Sequence, residues 1–115
     1  MNSRFKFRAW DTRKNEYIYD AQDQYDNTVE CFGYMIDDTY KGRFIVEQCT
    51  GLKDKNGKLI YEGDVVRQIS KREPEYEEYL TEVKWYGCGY YLYDKEEFDY
   101  EVIGNIHENG DLLKE

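Results

Sequence analysis

The residues that could perform chemistry are few and scattered along the chain. His107 is the only histidine, and general acid–base catalysis would require a partner within hydrogen-bonding reach, which the sequence does not identify. The acidic pairs Glu77-Glu78 and Glu96-Glu97 are adjacent, and adjacent side chains point apart on a strand, so we interpret them as solvated carboxylates. No nucleophile elbow, phosphate-binding loop or dinucleotide glycine motif is present. The sequence predicts no catalytic residue and no cofactor, and we expect a protein that is not an enzyme.

Metal binding is not indicated either. The run from Asp54 to Gly57 resembles part of a calcium-binding loop, in which a glycine occupies the sixth position. Aligning Gly57 with that glycine places Leu52 at the first position and Gly63 at the twelfth, and both positions require oxygen ligands. We therefore interpret the run as a solvated hairpin tip and predict no metal site.

The cysteines and the N-terminus favour a cytoplasmic protein. Cys31, Cys49 and Cys88 are odd in number and form no Cys-x-x-Cys pair, so neither a disulfide framework nor a zinc site is predicted. No apolar run approaches the roughly 20 residues of a membrane-spanning helix. The first residues also lack the apolar region of a signal peptide. We expect reduced, buried thiols and no membrane association.

Two groups of basic residues could contact an anionic partner. The segment from Phe5 to Trp10 alternates apolar and basic residues, which predicts a half-buried strand with Phe5, Phe7 and Ala9 towards the core. A basic stripe ending in a tryptophan could bind single-stranded nucleic acid by charge and stacking. The second group surrounds the hairpin tip. The candidate basic contacts are Arg4, Lys6, Arg8, Lys53, Lys55 and Lys58. The simpler interpretation is a polar strand face and a charged, solvated tip.

The formal net charge of −9 is unevenly distributed. Residues 68–115 contain 13 acidic and 5 basic residues, a balance of −8, whereas contact with a phosphate backbone requires positive charge. Nucleic acid is therefore not expected as a bulk ligand. An acidic segment of this kind could instead mimic DNA and occupy a protein that binds nucleic acids.

Tyrosine is the most unusual feature of the composition, with 13 among 115 residues. Tyrosine favours strands and is enriched at protein–protein interfaces. Our first hypothesis is a non-enzymatic module that binds another protein through a tyrosine-rich surface near the acidic segment. The candidate surface residues are Tyr76, Tyr79, Tyr90, Tyr91 and Tyr93. Strand edges also permit self-association, so a homo-oligomer is an open alternative.

The elements that must position these residues are mostly β-strands. Asn56-Gly57 is the strongest hairpin signal in the chain, because both residues accept positive φ. Glu62-Gly63-Asp64 predicts a second turn before a strand from Val65 to Ile69. Further strands are predicted over 5–10, 17–19, 29–36 (bulged at Gly33), 44–49, 81–85, 90–93 and 101–107, loops over 20–28 and 70–79, and one short helix over 95–100. With 115 residues, these elements suit a single, mainly β domain.

Three blocks of sequence occur together in the order found in one known family. They are Phe7-Arg8-Ala9-Trp10-Asp11, the run from Thr50 to Val66, and the run from Glu101 to Asn109. Together they resemble the YopX-like family of small phage and prophage proteins. The resemblance implies antiparallel strands that form a small barrel or roll, similar to a Src-homology-3 domain, in the C-terminal half. The predicted parts are an N-terminal β segment (1–49), the roll (50–107) and a tail (108–115). The family supplies no catalytic residues to transfer.

Overall fold

The structure is a computed structural model that describes residues 5–24, 32–37, 41–70, 78–84 and 98–113. Some predicted features fall on other residues and lie outside this part of the chain. They are Arg4, Tyr76, Tyr90, Tyr91, Tyr93 and the strand over 90–93. Tyr79 and the remaining candidate basic residues are described.

The fold is mainly β, with two antiparallel sheets, so the predicted fold class is confirmed. The strands are β1 (Phe7–Asp11), β2 (Glu16–Tyr19), β3 (Phe44–Lys53), β4 (Leu59–Tyr61), β5 (Asp64–Ser70), β6 (Glu78–Glu82) and β7 (Phe98–Asn105). The strand orders are β2-β1-β3-β4 and β6-β5-β7. The helical segments are short, namely α1 (Phe32–Ile36), α2 (Ile106–Asn109) and 3-10 helices at Ala21–Asp23 and Gly110–Leu113.

The chain divides into two compact units, residues 1–49 and 50–115. Strand β3 passes from the first unit into the second, and both residues at the division, Cys49 and Thr50, are buried. The division coincides with the predicted end of the N-terminal segment. That the chain forms a single folding domain stays a prediction.

The core of the first unit lies between strands and two short helical segments. In β1, Ala9 pairs with Ile18 of β2 on one side and with Val46 of β3 on the other. The buried residues that form the core are Ala9, Ala21, Met35 and Phe44, with Phe7, Ile18, Phe32 and Val46 packed against them. Ala9 of the middle strand β1 thereby packs in one core with Ala21 and Met35, which belong to the two helical segments.

The strand predicted over 29–36 is wrong over its described part, where residues 32–36 form α1. Phe32 and Met35 both pack into the core of the first unit, and the ring of Phe32 lies 5.3 Å from that of Phe7. Residues three apart share one face of a helix but lie on opposite faces of a strand. Burying both side chains together therefore requires a helix here.

The core of the second unit is formed by strands that follow the hairpin. Its buried residues are Ile60 of β4, Val66 of β5, Val83 and Tyr100 of β7, with Val102 packed against them. One core shared by these strands confirms the predicted β-roll in the C-terminal half. Both predicted turns are present, with positive φ at Gly57 and Gly63.

Three boundaries in this unit differ from prediction. Residues 98–100 belong to β7 rather than to a helix, because Tyr100 is buried in the core and pairs with Gln68 of β5. Strand β6 begins at Glu78, inside the predicted loop, and ends at Glu82. Strand β7 ends at Asn105 instead of residue 107, because α2 begins there. Long-range strand pairing outweighs the local helix signal at the first boundary.

Candidate functional site

The predicted basic stripe on the first strand is not a solvent-exposed surface. Arg8 is only 3% exposed, and Trp10 is also buried, whereas Phe5, predicted to face the core, is 63% exposed. The Nε of Arg8 donates to Oε1 of Glu47 at 2.8 Å, and the guanidinium lies 4.2 Å from the ring centre of Tyr17. The Tyr17 hydroxyl donates to the same Glu47 oxygen at 3.0 Å.

The alternation correctly places Phe7 and Ala9 in the core of the first unit, but it does not predict that the opposite face is buried too, because the carboxylate that pairs with Arg8 lies 39 residues later in the chain. A buried ion pair of this kind is a structural feature, and removing one partner would leave an uncompensated charge. Lys6 is half-buried. The hypothesis of direct nucleic-acid binding through an exposed stripe that includes Arg8 and Trp10 is not compatible with their burial.

The basic hairpin tip is exposed as predicted, with Lys53, Lys55 and Lys58 all at the surface. Its base is fixed by Asp54, which is buried. Oδ1 of Asp54 accepts hydrogen bonds from the N–H groups of Asn56 and Lys58, both at 2.9 Å. Oδ2 accepts the N–H of Val102 at 3.0 Å. The Lys55 N–H also donates to the Tyr100 carbonyl at 2.8 Å, so the tip is attached to β7 at two points.

These bonds explain the ionisation of Asp54. Burial by itself raises the pKa of the carboxyl, but hydrogen bonds from the backbone of Val102, Lys58 and Asn56, and the charge of Lys58, outweigh it and lower the pKa below its ordinary value. All of these bonds are to protein groups, so the carboxylate acts as a structural acceptor. The interpretation of the run as a hairpin tip agrees with this geometry.

The second buried aspartate with a lowered pKa is Asp11, at the end of β1. Its carboxylate accepts hydrogen bonds from Nε and Nη2 of Arg43, both at 3.1 Å. It also accepts hydrogen bonds from the backbone N–H groups of Arg13 at 3.0 Å and Lys14 at 3.3 Å. Burial raises the pKa, but the bonds from Arg43, Arg13 and Lys14 and the charge of Arg43 lower it further than burial raises it. Asp11 thereby joins the turn after β1 to the segment before β3. No local pattern in the sequence indicates this role, since Arg43 is 32 residues away from Asp11.

His107 lies in α2, within a short network of backbone caps. Oδ1 of Asn105 accepts the N–H groups of His107 at 3.0 Å and Glu108 at 2.9 Å, as a helix N-cap does. Oδ1 of Asn109 accepts the N–H of Asn105 at 3.2 Å. A Cβ on Gly104 would lie 2.5 Å from that same Asn109 oxygen, so the close approach requires glycine. Gly104, Asn105 and Asn109, which belong to the sequence block from Glu101 to Asn109, therefore have a structural role in the connection between β7 and α2.

Of the five candidate tyrosines, the structure describes Tyr79, which lies on β6 and is exposed. Leu80, the next residue, is exposed too. Leu80 is not among the predicted surface residues, because the prediction rests on the abundance of tyrosine. Tyr79 pairs with Gln68 and Leu80 with Arg67 on the neighbouring strand β5.

In the described parts of the chain, no group of three or more histidine, cysteine, aspartate or glutamate side chains could hold a metal ion. Among those same residues, no helix is long and apolar enough to cross a membrane. Cys49 is a buried free cysteine.

Comparisons with known proteins agree with the resemblance seen in the sequence. The family model described as "YopX protein" matches residues 6–114. Among solved structures, the chain is similar to the crystal structure of protein EF1440 from Enterococcus faecalis, with 25% sequence identity and a TM-score of 0.62. The match covers 95% of this chain and 97% of that one. No curated protein matches the sequence.

Proposed function

The chain belongs to the YopX protein family, and from this premise we propose that it is a non-enzymatic protein-binding module of phage or prophage origin. Its proposed place of action is the bacterial cytoplasm, where the buried thiol of Cys49 would stay reduced. Its proposed partner is a host or phage protein, bound by the surface that includes Tyr79 and Leu80.

The exposure of strand β6 supports this proposal best. Tyr79 is 57% exposed and Leu80 is 40% exposed, although adjacent residues of a strand point to opposite faces of a sheet. Within the described ranges, β6 has one hydrogen-bonded neighbour, β5. A strand at a sheet edge with apolar side chains exposed on both faces is typical of a surface that a protein partner covers.

The chemistry of the two side chains suits this role. A tyrosine ring offers a large apolar area together with a hydroxyl group, which is why tyrosine is enriched at interfaces. An extended partner segment could add to the edge of β6 at which the described ranges contain no neighbouring strand, where backbone hydrogen bonds would give affinity and pockets around Tyr79 and Leu80 would give specificity.

The experiment is affinity capture of the tagged protein from a bacterial host lysate, with nuclease, at low and high salt, identified by mass spectrometry. We expect one protein to be enriched under all conditions. The double variant Tyr79→Ala/Leu80→Ala should bind the purified partner at least about tenfold more weakly, since truncating central interface residues costs 2 kcal/mol or more.

The matched control is Tyr19→Ala in the first unit, where the tyrosine is 52% exposed. This variant should retain wild-type affinity. If the double variant on β6 captured the same protein as strongly as the wild type, the assignment of this surface would be wrong.

A second candidate function is mimicry of DNA by the acidic C-terminal part, supported by the balance of −8 over residues 68–115. Some of this charge is paired, since Glu101 lies 3.2 Å from Arg67 and Glu82 lies 3.8 Å from Lys84. Capture of a nucleic-acid-binding protein that is lost at high salt, and unaffected by the substitutions on β6, would favour mimicry over the first proposal.

A further inference from the structure

A cleft rich in basic residues lies in the first unit, whereas Tyr79 and Leu80, which are assigned to the proposed function, belong to the second unit. It has a volume of about 340 Å³ and is open to solvent. Its lining residues are Thr12, Arg13, Lys41, Gly42 and Arg43. They come from two places in the sequence, the turn that follows β1 and the segment that precedes β3.

The two walls of the cleft are joined by short hydrogen bonds. The Thr12 N–H donates to the Arg43 carbonyl at 2.8 Å, and the Thr12 hydroxyl donates to the same oxygen at 2.9 Å. The carboxylate of Asp11 beneath them binds Arg43 and the backbone of Arg13. These bonds hold the backbone of the cleft in place before any ligand arrives, which reduces the entropy cost of binding.

The cleft carries an excess of positive charge on an acidic protein. The charge of Arg43 is balanced by Asp11, to which it is bound. Arg13 and Lys41 are exposed, and among the residues that the structure describes neither forms an ion pair. Two cations therefore line a preformed cleft. The net charge of the whole chain is −9 and would repel an anion, so any attraction must come from these local charges.

The lining favours one chemical class of ligand. Guanidinium and ammonium groups bind phosphate oxygens through short, charge-assisted hydrogen bonds. The volume lies at the lower end of the roughly 300 to 1,000 Å³ of small-molecule pockets. Among the described residues that line the cleft, none is aromatic, so the described lining offers charge and hydrogen bonds instead of a surface for stacking a base. The net charge of the whole chain opposes a long polyanion.

We propose that this cleft binds the phosphoryl group of a small phosphorylated ligand, such as a nucleoside diphosphate, through Arg13 and Lys41. Arg43 completes the site as a cation whose position Asp11 fixes. The site selects for the phosphates and not for the base. This activity goes beyond protein binding and lies in the other unit of the chain, so either proposal can fail without the other.

The test is isothermal titration calorimetry of the full chain at low salt with pyrophosphate, ADP, adenosine and a short single-stranded oligonucleotide. Pyrophosphate and ADP should bind, and adenosine should not. The variants Arg13→Gln and Lys41→Gln should each weaken ADP binding about tenfold, since each removes one charge-assisted contact. Both side chains are exposed, so circular dichroism should show an unchanged fold.

The matched control is Lys84→Gln, which removes one exposed lysine of the second unit. It should leave ADP binding unchanged. The proposal is overturned if pyrophosphate and ADP fail to bind at millimolar concentration, if Lys84→Gln weakens binding as much as Lys41→Gln, or if adenosine binds as well as ADP. Tighter binding of the oligonucleotide than of ADP would also overturn it.

Discussion

At the scale of single residues, buried aspartates organise the turns of this protein. Asp11, Asp54 and Asp64 are all buried, and each accepts at least one backbone N–H near a turn; for Asp64 the donor is Tyr61, at 2.8 Å. A buried carboxylate is stable only when its oxygens are hydrogen-bonded. The turn signal at Asp54 is visible in the sequence, but its bond to Val102, 48 residues later, is not. Local patterns therefore identify the turn without identifying what anchors it.

Replacement of Asp54 by asparagine tests this role. Asp54→Asn keeps the size of the side chain but replaces one acceptor oxygen by an NH₂ group, leaving a backbone N–H without its charged partner. We expect the free energy of unfolding at pH 7 to fall by about 1–3 kcal/mol. Urea denaturation followed by circular dichroism measures it. The control Asp111→Asn, at an exposed aspartate, should change stability little.

The pH dependence follows from the direction of the pKa shifts. Asp11 and Asp54 have folded-state pKa values below the ordinary value of 3.8. Their stabilising contribution is therefore complete above pH 3.8 and is lost as the pH falls through the lower folded-state values. The stability difference between wild type and Asp54→Asn should shrink over that acidic range. A difference that stayed constant down to complete protonation would contradict the assignment.

At the scale of elements, the turns are predicted correctly because they depend on local residues. Elements that depend on contacts between distant residues are predicted wrongly. The hairpin around Gly57 and the turn at Gly63 are both present, because positive φ is a local requirement that glycine meets. The helix α1 is not predicted, because its β-branched and aromatic residues favour a strand. The helix forms because Phe32 and Met35 must both pack in the core of the first unit. The start of β6 is likewise not predicted by local signals, since the strand begins at Glu78, inside the loop predicted over 70–79.

The junction between β7 and α2 supplies a prediction at this scale. Gly104→Ala should destabilise the protein by about 1–3 kcal/mol, because the new Cβ would overlap the Asn109 side chain. Asn109→Ala removes the two nearest atoms, Oδ1 and Cγ, and keeps the Asn109 Cβ at 2.9 Å, so it relieves most of the overlap and the double variant should cost less than the sum of the two single variants. Urea denaturation of all three variants measures the coupling.

A glycine in open space provides the control for that cycle. Gly110 has φ −57°, and a Cβ added there meets nothing within 4 Å. Gly110→Ala should therefore be neutral or slightly stabilising. Strictly additive costs at Gly104 and Asn109 would show that the predicted overlap is absent.

At the scale of the whole molecule, the two compact units share a strand instead of an exposed linker. Domain boundaries usually fall in exposed, flexible segments, whereas Cys49 and Thr50 are buried. The mainly β fold predicted from the sequence is confirmed. The acidic balance of residues 68–115 is a property of the sequence itself. The position of Arg8 was not predictable, because the ion pair with Glu47 is formed across strands.

The thiol of Cys49 provides a measure of how readily the fold opens around strand β3. In a background with Cys31→Ser and Cys88→Ser, Cys49 should react with a thiol reagent only as fast as the protein opens, because the side chain is fully buried. Labelling in increasing urea should follow the unfolding transition. In the same background with Cys49→Ser, a thiol introduced by Lys84→Cys at an exposed position should react at once. Equal rates for the two thiols would contradict the burial.

The hairpin tip also has a consequence for the chemical lifetime of the protein. Asn56 and Gly57 form the residue pair in which an asparagine side chain is most readily attacked by the following backbone nitrogen, with loss of ammonia through a cyclic imide. Here that nitrogen donates to the Asp54 carbonyl at 3.0 Å, and Gly57 holds a left-handed conformation. The folded turn should therefore slow this reaction. Once it occurs, reopening of the imide to isoaspartate would insert an extra backbone atom into the hairpin turn, so the folded state of this turn would also limit the chemical ageing of the protein at this position.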